Sequence, residues 1–294
     1  MPFKLYVRRE IADRLDETYL FESWAEAMSG ADYYDIHCSV IDERETCVAT
    51  LTRALAGGRK RVLESGCGTG RWLAYIERLG HTTVGLDDSA APLRLAKARA
   101  PAFRLVQGDA VTGPFKDRSF DVVFSSYVAE HFENGPEALL REIYRLLKPD
   151  GLLILVVPYN SAFRRWFTNH ALHLFYLYCR LTGREVAFTE LRFSQAEMDA
   201  YLSRTGFRVA HVEPDDFRYP WAKGLSLDLG RFVLPRSAAA GSWELNSFGR
   251  VLARVFHRLS PWFCCSGVLY LARAVTSSVE TSPSLPRRGR GEVD

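Results

Sequence analysis

The chain has 294 residues, 47% of them hydrophobic and 25% charged, which excludes a disordered polymer, a collagen-like repeat and an extended coiled coil. That length suits two ordinary domains or one enlarged α/β domain. With 38 basic and 35 acidic residues the formal charge is +3, too balanced for nucleic acid to be the expected partner.

Residues 1–58 read as a helical cap containing Trp24, Tyr33 and Tyr34. The opening Met1-Pro2-Phe3-Lys4 leads into charged residues rather than an apolar run, so no secretory leader is expected. The six cysteines form no CxxC pair and no Cys/His spacing suited to zinc, so reduced thiols, a cytoplasmic setting and no metal site are expected. From 61 to 158, short apolar runs alternate with helical patterns. Strands are predicted at 61–63, 82–86, 103–107, 120–125 and 152–157, with helices at 72–79, 92–100 and 137–147. Within the last helix Leu140, Ile143, Tyr144 and Leu147 repeat at i, i+3, i+4, i+7, and Lys148-Pro149-Asp150-Gly151 stops it. The run 152–157 is apolar on both faces, as in a strand at the middle of a sheet, and far shorter than the ~20 residues that span a bilayer.

Ser194, with Glu197 three residues later, predicts a capping box opening a helix over 194–203. Strands at 207–212 and 267–275 follow, and the Ser/Thr/Pro/Arg tail 276–294 is expected to be disordered. Strands alternating with helices at this spacing imply right-handed crossovers and an α/β fold with a doubly wound, mostly parallel sheet of about seven strands. That sheet lies within 59–275, which carries two insertions, at about 159–193 and 215–265.

The richest segment is Val62-Leu63-Glu64-Ser65-Gly66-Cys67-Gly68-Thr69-Gly70-Arg71-Trp72. A strand running through glycines into a helix brings backbone N–H groups and a helix N-terminus close to a ligand. The dinucleotide pattern GxGxxG fails, because Arg71 stands where its third glycine belongs, and no Gly-Lys-Ser/Thr follows as in a P-loop. What stands is Glu64-x-Gly66-x-Gly68-x-Gly70. This string resembles motif I of the class I S-adenosylmethionine-dependent methyltransferases, in their type 11-like small-molecule group. The later landmarks arrive in that family's order: Gly85-Leu86-Asp87-Asp88-Ser89, then Gln107-Gly108-Asp109-Ala110, the run 120–131 ending Ser125-Ser126-Tyr127-Val128-Ala129-Glu130-His131, and Leu147-Lys148-Pro149-Asp150-Gly151.

The resemblance is close over 60–158 and loose over 194–213, and it implies a Rossmann-like fold that binds S-adenosylmethionine and releases S-adenosylhomocysteine. By that likeness Glu64 lies near the methionine amino group, Gly66, Cys67, Gly68 and Gly70 form the loop, and Asp87 with Asp88 meets the ribose hydroxyls. Asp109 and Ala110 meet the adenine, and Ser125 completes the cofactor contacts. Read without the likeness, the glycine string is a tight turn, Asp87 a capping residue and Asp109 a turn aspartate. Ser65, Asp88, Tyr127 and Ala129 depart from the family's usual residues, the last two near the methyl donor.

Methyl transfer from such a donor asks the protein mainly for proximity and alignment. A phenol, alcohol or acidic carbon also needs a base. His131 is the candidate, since it follows the fourth strand at the carboxyl edge of the sheet and an imidazole exchanges protons near neutral pH; its alternative is to hydrogen-bond the loop. No Asn-Pro-Pro-Tyr occurs where Ser125-Ser126-Tyr127-Val128 stands, which favours an oxygen or carbon nucleophile over an amine. The insertion 159–193 holds nine aromatics, among them Phe163, Trp166, Phe167, Tyr176 and Tyr178, and reads either as an inserted helical lid walling an apolar, lipid-like acceptor pocket or as a helix packed on the sheet. In the second insertion Phe248, Val251, Leu252, Val255, Phe256 and Leu259 form a stripe with Arg250, Arg254, His257 and Arg258 largely opposite, read as core-packed or as a peripheral membrane contact. A cofactor-binding regulatory subunit without turnover, and an enzyme using the same pocket for other chemistry, are the rival readings. The oligomeric state and the acceptor's identity leave no mark in the sequence.

Overall fold

A computed structural model describes residues 1–9, 45–217, 222–234 and 244–275. Strand β1 (Phe3–Arg8) comes first, then helix α1 (Thr46–Leu55). Strands β2 (Arg61–Ser65), β3 (Thr82–Asp87), β4 (Leu105–Gln107) and β5 (Phe120–Ser126) follow, with α2 (Arg71–Arg78) and α3 (Ala90–Arg99) between the first three. Helix α4 (Glu137–Leu146) leads into the long β6 (Leu147–Pro158). A π turn (Arg164–Thr168) then runs into α5 (Asn169–Leu181), followed by β7 (Val186–Arg192), α6 (Gln195–Arg204) and β8 (Phe207–Asp215). Helices α7 (Lys223–Leu229) and α8 (Ser247–Leu259) precede β9 (Gly267–Ala274).

The main sheet has seven strands in the order β4-β3-β2-β5-β6-β9-β8, parallel except for β9, which runs antiparallel to both neighbours. Alternation along each strand builds two cores. Leu63, Val123, Leu153 and Leu155 face α4 and α6, while Val62, Val122, Phe124 and Ile154 face α1 and α2. This is the doubly wound α/β architecture that the pattern of elements predicts. The expected capping box is present: Glu197 N–H donates to Ser194 Oγ, and Ser194 N–H donates to Glu197 Oε2 at 2.9 Å. Strand order reverses between β2 and β5, so the crevice outside their carboxyl ends is the ligand position of such a sheet.

Three expectations are corrected. The lead-in is not wholly helical, because Phe3–Arg8 is a strand paired antiparallel with β7; the rest of the expected cap over 10–44, with Trp24, Tyr33, Tyr34 and Cys38, and the tail 276–294 lie outside the described residues. The first insertion is not purely helical, since Val186–Arg192 finds β1, some 180 residues away in sequence, as a pairing partner. Finally, the stripes of both insertions turn mostly outward, with Phe163, Leu252 and Phe256 retained against a small core and the rest exposed. Phe163 is buried, but Trp166, Phe167, Leu174 and Tyr178 are exposed; in α8, Gly249 and Ala253 are buried while Phe248, Val251, Val255 and Leu259 are exposed.

In the first insertion the reason is a buried ion pair that pins the π turn. Arg164, 2% exposed, donates through Nε to both carboxylate oxygens of Asp228 in α7 at 3.0 Å, and through Nη1 to the carbonyls of Tyr159 (2.7 Å) and Ser266 (3.0 Å). Arg192 of β7 approaches the same carboxylate. With Arg164 directed inward, the neighbouring Arg165, Trp166 and Phe167 point out.

Candidate functional site

The loop after β2 holds Gly66 at φ 76°, Gly68 at φ 50° and Gly70 at φ 80°, all in the left-handed region that favours glycine. At Gly66 a Cβ would also stand 2.2 Å from Val128 Cγ2, so the close packing of the loop against the turn after β5 requires this glycine. The Gly66 and Cys67 N–H groups both donate to the Leu86 carbonyl, which ties the loop to the end of β3. Asp87 Oδ2 accepts from Gly68 N–H at 2.8 Å and Oδ1 from Ser89 N–H at 3.0 Å. Its carboxylate therefore shapes the loop.

Two buried side-chain oxygens beside this loop lack partners. Glu64 is 3% exposed and its Oε2 accepts nothing; Ser125 is fully buried with an unpartnered Oγ, and the parallel register places it beside Ser65. Burial pushes the Glu64 carboxyl well above the usual carboxylate range, with a backbone donor at Leu73 opposing and Asp87 reinforcing the shift. A buried carboxyl with an empty acceptor position is stabilised by a cationic amino group. In front of Gly68 a Cβ would meet nothing within 4 Å. An orphaned acceptor and open space along the glycine loop fit the amino-acid end of the cofactor that the resemblance implies.

Asp87 and Gln107 are register partners on β3 and β4, and Gln107 Nε2 donates to the Asp88 carbonyl, so that edge forms one connected rim. Asp88 and Asp109 are both on it, Asp109 Oδ1 accepting from Val111 N–H at 2.7 Å, and Ala110 packs partly buried between them and the core. Cys67 is buried, and its thiol is pushed far up by burial and by Glu64.

Beside the glycine loop, a cavity of ≈ 160 Å³ opens at the ends of β5, β6 and β8. Arg71 and Trp72 from the start of α2, Tyr127 from the turn after β5, and Asp215, Asp216 and Lys223 line it, together with Glu45 and Cys47. Tyr127 sits at φ 57°, an uncommon conformation for a non-glycine residue, and its hydroxyl donates to Asp215 Oδ2 at 3.0 Å while Lys223 Nζ lies 4.2 Å from its ring centroid. Burial and the Asp215 charge keep the Tyr127 phenol protonated and donating. Asp216 accepts four backbone N–H bonds, from Phe217, Lys223, Gly224 and Ser266. Its carboxyl is pushed up to about 6 by burial, against those donors, and so stays ionised at neutral pH. Glu45 and Arg71 form an ion pair across the cavity wall.

His131 does not line this cavity. It stands exposed on the 3-10 turn Ala129–His131, its Nδ1 3.1 Å from the Thr189 carbonyl of β7. A carbonyl only accepts, so Nδ1 carries the proton and Nε2 holds the lone pair. Of the nine aromatics in 159–193, Tyr176 alone touches a described cavity, a second one of ≈ 430 Å³ lined also by Phe3, Asn160 and His173; none lines the cavity beside the glycine loop. Sequence reasoning missed Tyr127's partners Asp215 and Lys223, and Asp216 beside them. An acidic pair just past the sixth predicted strand was a legible signal, being at the same sheet edge as Asp87. No metal-binding group of His, Cys, Asp or Glu occurs among the described residues, and no described helix is long and apolar enough to cross a membrane.

Comparison with known proteins agrees with this fold. Residues 63–155 match the family described as a methyltransferase domain. An uncharacterized methyltransferase of Synechocystis sp. is 40% identical over 159 residues, covering 53% of this chain and 70% of that protein. The phthiotriol/phenolphthiotriol dimycocerosates methyltransferase of Mycobacterium tuberculosis is 39% identical over 109 residues, but that match covers 35% of this chain and 38% of the relative. Among solved structures, a SAM dependent methyltransferase of Archaeoglobus fulgidus shares the fold at a TM-score of 0.51 with 18% identity, over 87% of this chain and 99% of that one.

Proposed function

This chain belongs to the class I S-adenosylmethionine-dependent methyltransferases, and on that premise we propose that it methylates an oxygen or carbon nucleophile at the polar end of an apolar, lipid-like acceptor. The carrying observation is the cavity shared by Arg71 and Trp72 of the glycine-loop helix, Tyr127 and Asp215 of the β5 and β8 edges, and Lys223 at the start of α7. At ≈ 160 Å³ it is smaller than the roughly 300–1,000 Å³ that encloses a whole ligand, so it takes the reacting group rather than the tail. Support for the apolar remainder comes from the mycobacterial relative, whose name specifies phthiotriol and phenolphthiotriol dimycocerosates.

The cofactor, when bound, supplies a sulfonium methyl already activated for displacement. Glu64, the glycines 66, 68 and 70 with Cys67, Asp87 with Asp88, Asp109 with Ala110, and Ser125 are the residues that would hold it. The chain itself then orients the acceptor and takes its proton. Two groups are suited to receive that proton. The Asp215 carboxylate lines the cavity and already accepts a hydrogen bond from one hydroxyl. His131, the base expected from the sequence, stands exposed outside this cavity with its Nε2 lone pair facing away from its carbonyl tether, so it serves only an acceptor whose reacting group lies against the turn after β5. Activity assayed as S-adenosylhomocysteine release with hydroxylated lipid and quinol pools tests the reading. His131→Ala and Asp215→Asn are compared at saturating cofactor. A fall in kcat of about a hundredfold or more with unchanged cofactor affinity identifies the base; cofactor binding without product from any pool defeats methyl transfer to this acceptor class.

A further inference from the structure

The outward faces of the two insertions form one surface. Along the π turn and α5, Trp166, Phe167, Leu174, Leu177 and Leu181 are each 52–76% exposed. On α8, Phe248, Val251, Val255 and Leu259 are each 47–67% exposed. A continuous chain of rings joins the two helices: Phe167 to Phe163 (5.3 Å between centroids), Phe163 to Phe256 (5.6 Å), Phe256 to Phe263 (4.9 Å) and Phe263 to Trp166 (6.3 Å). Exposed apolar area of this extent marks a contact surface rather than ordinary solvent-facing side chains.

Charge identifies the occupant. Residues 160–184 hold four arginines and no carboxylate, and residues 245–265 hold three arginines and no carboxylate, in a chain whose net charge is only +3. Arg164 is directed inward to Asp228, which leaves Arg165, Arg180 and Arg184 exposed at the margins of one helix and Arg254 and Arg258 on the other. On α8 the arginines at 254 and 258 border the outward Val251–Val255 stripe, at the rim where a long cationic side chain reaches headgroups while the stripe enters the acyl boundary. A second copy of this chain would bring two cationic faces together, at a Coulombic cost. We infer that this face docks the protein on an anionic phospholipid bilayer, the two helices lying in the interface with Trp166, Phe167 and the α5 leucines inserted.

The test is co-sedimentation of the full chain with vesicles of phosphatidylcholine alone and with 30 mol% phosphatidylglycerol (about a third anionic, enough to set up an attractive surface potential), at low and high salt. Partition is expected to be at least tenfold stronger onto the anionic vesicles and to weaken with salt. Trp166→Gln/Leu177→Gln removes inserted surface and Arg180→Glu/Arg258→Glu reverses charge; each is expected to lower partition about tenfold or more while leaving the thermal midpoint unchanged, since all four side chains are exposed. Equal partition onto both vesicle types, undiminished partition of either variant, or a solution dimer dissolved by Trp166→Gln/Leu177→Gln would overturn the assignment.

Discussion

Two carboxylates at the same sheet edge, Asp87 and Asp216, are held by unlike means. Asp87 accepts from Gly68 and Ser89, one in the facing loop and one two residues on. Asp216 gathers Phe217, Lys223, Gly224 and Ser266, the last 50 residues away. Around Asp87 the loop, strand and rim come from one continuous stretch, 61–109. The Asp216 flank is assembled from α1, the turn after β5, the end of β8, α7 and the start of β9. The flank proposed for the cofactor is thus a local motif that folds with its own neighbours, whereas the flank proposed for the acceptor exists only once distant segments have met.

The comparison is broken most severely by removing the ion pair that anchors the assembled flank. Asp228→Ala leaves the Arg164 guanidinium buried and uncompensated, and about 3–5 kcal/mol of stability is expected to go in urea unfolding, with cofactor affinity of the remaining folded protein unchanged. On the local flank, Gly66→Ala forces a Cβ into Val128 at a positive φ, with an expected loss of about 2 kcal/mol or more and of cofactor binding measured by calorimetry. Asp87→Ala removes the acceptor of Gly68 N–H, for an expected 1–2 kcal/mol (roughly) and at least a tenfold weaker cofactor.

A subtler difference lies in pH. The Asp216 carboxyl titrates at about 6 in the folded chain and near 3.9, roughly, when unfolded, so the native state binds more protons between those values. Its contribution to stability is therefore largest below about pH 4 and falls as pH rises to about 6, then stays level. Urea titrations at pH 4.5 and 7 are expected to show a smaller drop for Asp216→Asn than for the parent; an identical drop would mean that the carboxyl titrates normally. The smallest effect is expected at Ser194→Ala, about 1 kcal/mol, from loss of the capping box.

Much of the cofactor flank was legible in the sequence. Glycines at 66, 68 and 70 announce positive φ, the apolar runs at 62–63, 122–124 and 152–157 announce strands covered on both faces, and Ser194 with Glu197 announces a helix start. These signals are local, each depending on residues a few positions apart. The strand at 3–8 was missed because its pairing partner lies at 186–192. Lys223 over the Tyr127 ring was missed for the same reason, since 96 residues separate two side chains that meet only after β5 and β8 join one sheet.

By itself, then, the sequence determined a doubly wound sheet with a glycine-lined ligand edge, because strand alternation, helical period and turn chemistry act over one to four residues and need no partner. It also determined that the stripes at 163–181 and 248–259 are apolar on one side. Whether such a stripe faces the core or the solvent was a decision of the tertiary structure alone. Arg164 is drawn inward to Asp228, Phe163 packs with Leu252 and Phe256 in a small core of its own, and Trp166, Phe167, Tyr178 and Phe248 are left on the outside.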